Sequence, residues 1–311
     1  MYDGVSTNIQ TPVGLTESFS IRVGLHQGSS LSPFIFAVIM DEISKFIWET
    51  VPWCMLFADD IVLAAETKEE ANSKLEEWRE ALEGKGMRIS RSKTEYMRCN
   101  FSGTESIGEP EVSIRGEAVA CTSKFKYLGS VIQNNGEIEG DVTNRIQTGW
   151  LKWRAATGVL CDKRFPSRLK GKFYRVAIRP ALLYGTECWP VKKAFEQRMD
   201  VTEMRMLRWM CGKTRMDRIR NQEFREKLGV APLSAKMREN RLRWFGHVQR
   251  STHDAPVRRV ERIIVEGKRS RGRPKRTWEE QINSDLLELH LSKDLTRDRA
   301  TWRRLIHVLD Y

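Results

Sequence analysis

No Cys-x-x-Cys pair occurs anywhere in the 311 residues. The six cysteines, Cys54, Cys99, Cys121, Cys161, Cys188 and Cys211, are dispersed. That pattern suits unpaired thiols in a reducing compartment better than a disulfide framework or a zinc site. His247 and His253 stand at no metal-ligand spacing from any cysteine. No signal-peptide pattern opens the chain. The most apolar run, LSPFIFAVIM (31–40), is too short to span a bilayer. An intracellular protein is expected, nuclear or cytoplasmic, not secreted and with no membrane partner. No internal repeat is found.

What is present supports a folded chain. Hydrophobic residues make up 40%, enough for a core, and charged residues 30%, somewhat above the globular average. The net charge of +12 hides a split. Residues 1–150 carry 14 basic against 22 acidic side chains, and residues 151–311 carry 39 against 19. A second half at +20 points to a polyanionic partner, nucleic acid first and an acidic membrane surface second.

Residues 6–23 read as a β-hairpin, with Phe19, Ile21 and Val23 alternating and Pro12-Val13-Gly14 as the turn. Ser32-Pro33 predicts a helix start, and the helix to about Trp48 is apolar nearly all round in its first half. Such a helix is expected to be buried on most sides. Ala71, Leu75, Trp78 and Leu82 define an amphipathic helix over 68–84, stopped by Gly84-Lys85-Gly86. MRIS, TEYMRC, EVSIRG and FKYLGSVI are short strand candidates. From Asp141 the pattern turns helical, with Val142, Ile146, Trp150 and Trp153 on one face. Further helices are expected near 166–184, 194–211, 217–228, 234–249, 275–290 and 297–308. Seven of the ten tryptophans lie from Trp150 onward, and helical spacing assigns most of them to a core.

One stretch is harder to place. PWCMLFADDIVLAAE (52–66) sets Asp59 and Asp60 inside an apolar run, although an unpaired carboxylate is costly to bury. The two flanking runs read as a tight hairpin with the acidic pair at or beside its turn. Two adjacent carboxylates there could hold Mg²⁺, which takes oxygen ligands. They could equally be a polar turn facing water.

Four segments in order then bear a resemblance. GLHQGSSLSPFIF (24–36), FADDIVL (57–63), GMRISRSKTEYM (86–97) and FKYLGSVI (125–132) resemble motifs of the reverse transcriptases of non-LTR, LINE-type retrotransposons. LLYGTECWPVKK (182–193), RWFGHVQR (243–250) and RGRPKRTW (271–278) are similar to the downstream region of such elements. The resemblance implies an α+β fold. A partial polymerase palm, an antiparallel sheet with packed helices, would span 1–138, and an all-helical thumb and basic C-terminal region 139–311. It implies RNA-templated DNA synthesis with Mg²⁺, and RNA, DNA and deoxynucleoside triphosphates as partners. By the same resemblance Asp59 and Asp60 would be metal ligands, and Gln27 and Gly28 would position template and nucleotide. Lys93 would neutralise phosphate or donate a proton to pyrophosphate, and Lys126, Tyr127, Leu128 and Gly129 would line the primer end. The plainer alternatives are a strand-to-helix loop at Gln27-Gly28, a solvated Lys93 and a cross-strand aromatic at Tyr127.

The family's further aspartate, in a motif of the type F-x-x-A-F-D, lies upstream of the Gln-Gly motif. Asp3 lacks the apolar frame to match it. The expectation is therefore a catalytically impaired polypeptide. The alternative is a non-catalytic nucleic-acid-binding remnant or co-opted protein. Its contacts would come from Arg269, Arg271, Arg273, Lys275 and Arg276, in GKRSRGRPKR (267–276). RGRP resembles a minor-groove AT-hook. A nuclear-localisation patch, or a solvated linker before a helix capped by Thr277, remains open beside it.

Overall fold

The computed structural model describes residues 4–21, 24, 28–99, 112–263 and 275–311. The chain forms two compact units, Met1–Thr94 with Val112–Val119, and Glu95–Glu111 with Ala120–Tyr311. The first unit opens with two nested antiparallel pairs, β1 (Ser6–Thr7) on β4 (Phe19–Ser20) and β2 (Gln10–Thr11) on β3 (Gly14–Leu15). Helix α1 (Ser32–Ser44) follows, then the hairpin of β5 (Cys54–Phe57) and β6 (Asp60–Leu63), then α2 (Lys68–Glu83). Thr67 caps α2 by accepting from the Glu70 amide at 3.2 Å, and the Glu70 carboxylate reaches back to the Glu66 amide at 3.1 Å. Met40, Ile43, Cys54, Trp78 and Leu82 form this unit's core. A ribbon of β8 (Ser113–Ile114) and β9 (Glu117–Ala118) hangs on α2, where Asn72 accepts from the Ser113 amide at 3.0 Å.

The expectation for α1 is corrected. It ends at Ser44 and buries only Met40, Ile43 and Ser44, while Phe34 is 67% and Val38 52% exposed. One stripe of the helix reaches the core, and the apolar residues off that stripe remain outside it. MRIS (87–90) is not a strand; Met87 and Ile89 instead pack against the first unit's core as irregular chain.

The second unit begins with β7 (Glu95–Tyr96), which pairs in parallel with β10 (Ala120–Cys121). The hairpin of β11 (Lys124–Tyr127) and β12 (Ser130–Gln133) follows. The rest is helical: α3 (Glu139–Ala155), α4 (Thr157–Leu160), α5 (Ser167–Phe173), α6 (Arg179–Leu183), α7 (Lys193–Met210), α8 (Asn221–Leu228), α9 (Leu233–Arg250), α10 (Pro256–Glu261), α11 (Trp278–Glu288) and α12 (Arg299–Ile306). The mixed α+β class holds, although the described strands make six two-stranded pairs and no larger sheet. The compact units also do not divide at residue 138. The β11–β12 hairpin goes with the helices because α3 grips it, as described below.

Residues 167–183 are one helical run with a π turn at Tyr174–Ile178, just before Pro180. Proline lacks the N–H that would continue the regular ladder, and the local widening absorbs that loss. Thr277 does cap α11, in a reciprocal pair with Glu280. No helix of the described residues is long and apolar enough to cross a membrane.

The second unit's main core joins Val142, Trp153, Tyr174, Leu182, Met199, Leu207, Phe224 and Leu233. Inside it sits Glu203, with no exposed surface. Its carboxylate accepts from Tyr174 Oη at 3.1 Å, Arg225 Nη1 at 2.7 Å and the Leu233 amide at 3.1 Å. One side chain thereby ties α7 to the π turn, α8 and the start of α9. Nearby, Asp310 takes Arg179 Nη1 at 2.7 Å and the Ala231 amide at 2.9 Å. Burial opposes its ionisation, but these donors outweigh it and hold its carboxyl well below the usual range. A second cluster, Leu242, Phe245, Ile282, Leu286, Trp302 and Ile306, joins α9, α11 and α12. There Arg241 pairs with Asp285 at 2.6 Å.

Burial pushes the Glu203 carboxyl up to about 7 against the pull of Arg225. The unfolded chain ionises the same group near its ordinary value of 4.5. Between those values the folded state binds the extra proton, so the contribution of Glu203 to stability falls as pH rises. In urea unfolding, wild type should lose on the order of 2 kcal/mol relative to Glu203→Gln between pH 5 and pH 8. A difference between the two proteins that does not change with pH would contradict this.

Candidate active site and nucleic-acid interface

The acidic hairpin pairs Phe57 with Asp60, leaving Ala58 and Asp59 as a two-residue turn. Cys54 anchors its base in the core, with Leu56, Ile61 and Leu63 packed against that core. Lys74 of α2 braces it, donating to the Ala64 carbonyl at 3.0 Å and pairing with Glu49 at 2.8 Å. Ala58 adopts φ +52°, a left-handed conformation that L-residues other than glycine rarely take. Such strain costs on the order of 1 kcal/mol and persists where the surrounding structure imposes it. The turn lifts both aspartates clear of the core, and both are exposed. The cost of burying two carboxylates, raised by the sequence, therefore does not arise.

Their carboxylate oxygens are the hard donors that Mg²⁺ takes. Among the described residues, however, no group of three His, Cys, Asp or Glu side chains gathers as a metal site. The hairpin supplies a pair of ligands rather than a closed cage. Lys93 ends the short 3₁₀ turn Arg91–Lys93, is exposed, and makes no described hydrogen bond or ion pair with either aspartate. Gly28 is exposed with φ +90°, a conformation that favours glycine. Gln27 lies outside the described residues.

The second hairpin is more elaborately held. Leu128 and Gly129 form its turn at φ +47° and +87°, the pattern of a primed two-residue turn. Tyr184 Oη donates to the Leu128 carbonyl at 2.7 Å, and Asn144 Nδ2 to the Gly129 carbonyl at 3.2 Å. Arg145 also reaches the Gly129 carbonyl and lies 4.8 Å from the Tyr184 ring centroid. Asp141, one helical turn before Arg145, accepts from the Val131 amide at 3.0 Å and Trp189 Nε1 at 3.2 Å. Leu128 and Gly129 are thus a turn fixed by α3 and Tyr184, with Lys126 and Tyr127 on the strand that enters it. Sequence reading missed Asp141, Asn144, Arg145 and Tyr184. The available signals were the i, i+4 spacing of Asp141 and Arg145 and the Tyr184–Trp189 stretch of LLYGTECW.

The helical unit keeps a few of its cations inside. Among the described residues Arg145, Lys170, Arg179, Arg225, Lys236 and Arg241 are buried, and each donates to a protein acceptor. Of the five cations expected to touch nucleic acid, Arg269, Arg271 and Arg273 lie outside the described residues. Lys275 pairs with Glu137 at 3.3 Å and donates to the Asn135 carbonyl at 2.7 Å. Arg276 is half-buried.

Residues 6–132 match the family model described as reverse transcriptase (RNA-dependent DNA polymerase). Over that span the chain is reverse-transcriptase-like. A transposon-derived protein of Caenorhabditis elegans is 25% identical over 201 residues, 62% of this chain and 70% of that protein. The Pol polyprotein of a type-1 retrotransposable element R2 from Nasonia vitripennis is 29% identical over 135 residues, 37% of this chain and 13% of its own. The RNA-directed DNA polymerase of the mobile element jockey from Drosophila funebris is 23% identical over 289 residues, 88% of this chain and 30% of its own. Likeness to the jockey polymerase therefore continues past residue 132 into the helices. The chain spans less than a third of the length of these two Pol proteins.

The two hairpins should respond differently to substitution. Asp59→Asn and Asp60→Asn, at exposed positions, should change unfolding free energy by less than about 0.5 kcal/mol. Tyr184→Phe removes the hydroxyl that holds the Leu128 carbonyl and should cost about 1 kcal/mol. Urea unfolding checks both, and a larger loss at the aspartates than at Tyr184 would reverse the assignment.

Proposed function

We propose that this chain is a LINE-type reverse-transcriptase-like protein that binds template–primer and carries part of a nucleotidyl-transfer site. The observation that carries the reading is the exposed Asp59–Asp60 pair on a braced hairpin turn, within the segment that matches the reverse transcriptase family. In this reading Asp59 and Asp60 hold Mg²⁺, and Gln27 and Gly28 face template base and nucleotide. Lys93 supplies positive charge to the triphosphate, and Lys126 to Gly129 receive the primer end. Bound Mg²⁺ would neutralise triphosphate charge and align the attacking and leaving oxygens.

What this chain's own residues can do is narrower. Phosphoryl transfer depends mainly on positioning and on neutralising developing charge. Two-metal sites clamp the reacting oxygens between ions about 3.5–4 Å apart, which takes bridging ligands. The described residues bring two carboxylates together, so synthesis by this polypeptide alone is weak or nil. In a template–primer extension assay with Mg²⁺ or Mn²⁺, the expected result is binding without extension above background. Robust synthesis abolished by Asp59→Ala would overturn the impairment while supporting the ligand assignment.

A second reading, nucleic-acid binding without catalysis, is favoured by the charge of the helical half. There the exposed lysines and arginines, not the buried ones, act as a phosphate track. The logarithm of affinity should fall linearly with the logarithm of salt concentration. A slope near zero in a salt titration of the full chain would refute the track.

A further inference from the structure

Most tryptophans of the basic half are used inside it. Trp153, Trp189 and Trp302 are buried, and Trp150, Trp244 and Trp278 half-buried. Trp209 on α7 is different, being 41% exposed. Behind it stand Trp150 and Trp153 of α3, with ring centroids 5.4 and 5.5 Å from its own. Those two rings are 5.5 Å apart and nearly perpendicular, so Trp209 rests on a packed aromatic base. One turn back on α7, the Arg205 guanidinium lies 5.7 Å from the Trp209 ring centroid.

The charge around this ring is one-sided. From Val201 to Trp209 the exposed residues of α7 are Val201, Arg205 and Trp209. Glu203 is buried among its three donors. Arg154, one turn beyond Trp150 on α3, is exposed. Neither Arg154 nor Arg205 forms an ion pair among the described residues. A tryptophan left 41% exposed forgoes part of the gain of burial. Arg205 over the ring, and the exposed Arg154 on the neighbouring helix, repel a cationic partner and attract phosphate. Base–aromatic stacking combined with cations that follow the backbone is the chemistry of single-stranded nucleic-acid sites.

We propose that Trp209, with Arg205 and Arg154, is a stacking site for an unpaired nucleobase of single-stranded nucleic acid. The ring takes the base and the two guanidinium groups take its flanking phosphates. The inference rests on the nucleic-acid reading of the helical half and goes beyond it, because a phosphate track has no need of bases.

The test compares two strands on the full chain by fluorescence anisotropy, an oligothymidylate and an abasic strand with the same number of phosphates. Wild type should bind the oligothymidylate about tenfold more tightly. Trp209→Ala should bring the two strands to equal affinity, and Trp209→Phe should keep part of the preference. Ultraviolet crosslinking of a bromouridine strand to wild type, mapped by peptide mass, needs no variant and should mark the peptide containing Trp209. Equal wild-type affinity for the two strands overturns stacking and leaves the phosphate track intact. A preference that survives Trp209→Ala, or crosslinks only in other peptides, overturns this site. Binding of neither strand overturns both the site and the nucleic-acid reading.

Discussion

The helical half is organised around the carboxylate of Glu203. It has no contact with water and three donors from three other segments, Tyr174, Arg225 and the amide of Leu233. A buried ion pair is weak evidence for stability in itself, since an apolar replacement can do as well. Its geometric consequence is clearer, because removing any one partner leaves a buried charge or donor unsatisfied. The π turn, α8 and the start of α9 must therefore meet α7 at one point. From there the dependence runs outward. Helix α7 packs against α3, whose Asn144 and Arg145 hold the Leu128–Gly129 turn and whose Asp141 holds the Val131 amide of β12.

This arrangement alters what the charge of the basic half means. Its excess of lysine and arginine suggests a surface built for phosphate. Yet Arg179, Arg225 and Arg241 are committed to Asp310, Glu203 and Asp285, and Lys275 is held by Glu137. The three buried arginines organise the fold, while Lys275 stays on the surface. Affinity for a polyanion depends on the ones left outside, such as Arg154 and Arg205. The first unit uses acidic groups in the opposite way, exposing Asp59 and Asp60 on a turn where a cation can reach them.

Much of this was legible along the chain. The hairpin over 6–23, the acidic hairpin, α2, α7, α9 and the Thr277 cap follow local rules, namely period-two alternation, an apolar stripe at helical spacing, and a capping residue. The four motifs located the acidic turn and the Leu128–Gly129 turn, and the family match over residues 6–132 spans both. The failures share a cause. The apolar composition of helix α1 predicts burial, but burial depends on what packs against each face. The π turn and the short parallel pair of β7 and β10 leave no periodic trace in so few residues.

By itself the sequence determined the local elements, the division of charge, and the residues that carry the reverse-transcriptase likeness. These depend on side chains close together in the chain or on composition. Only the tertiary structure decided which cations remain free, which tryptophan of the helical half faces water, and which groups hold the Leu128–Gly129 turn. Those outcomes rest on partners far apart, Leu128 with Tyr184 across 56 positions and Arg179 with Asp310 across 131. No local periodicity encodes such pairings, because they exist only once packing has brought the segments together.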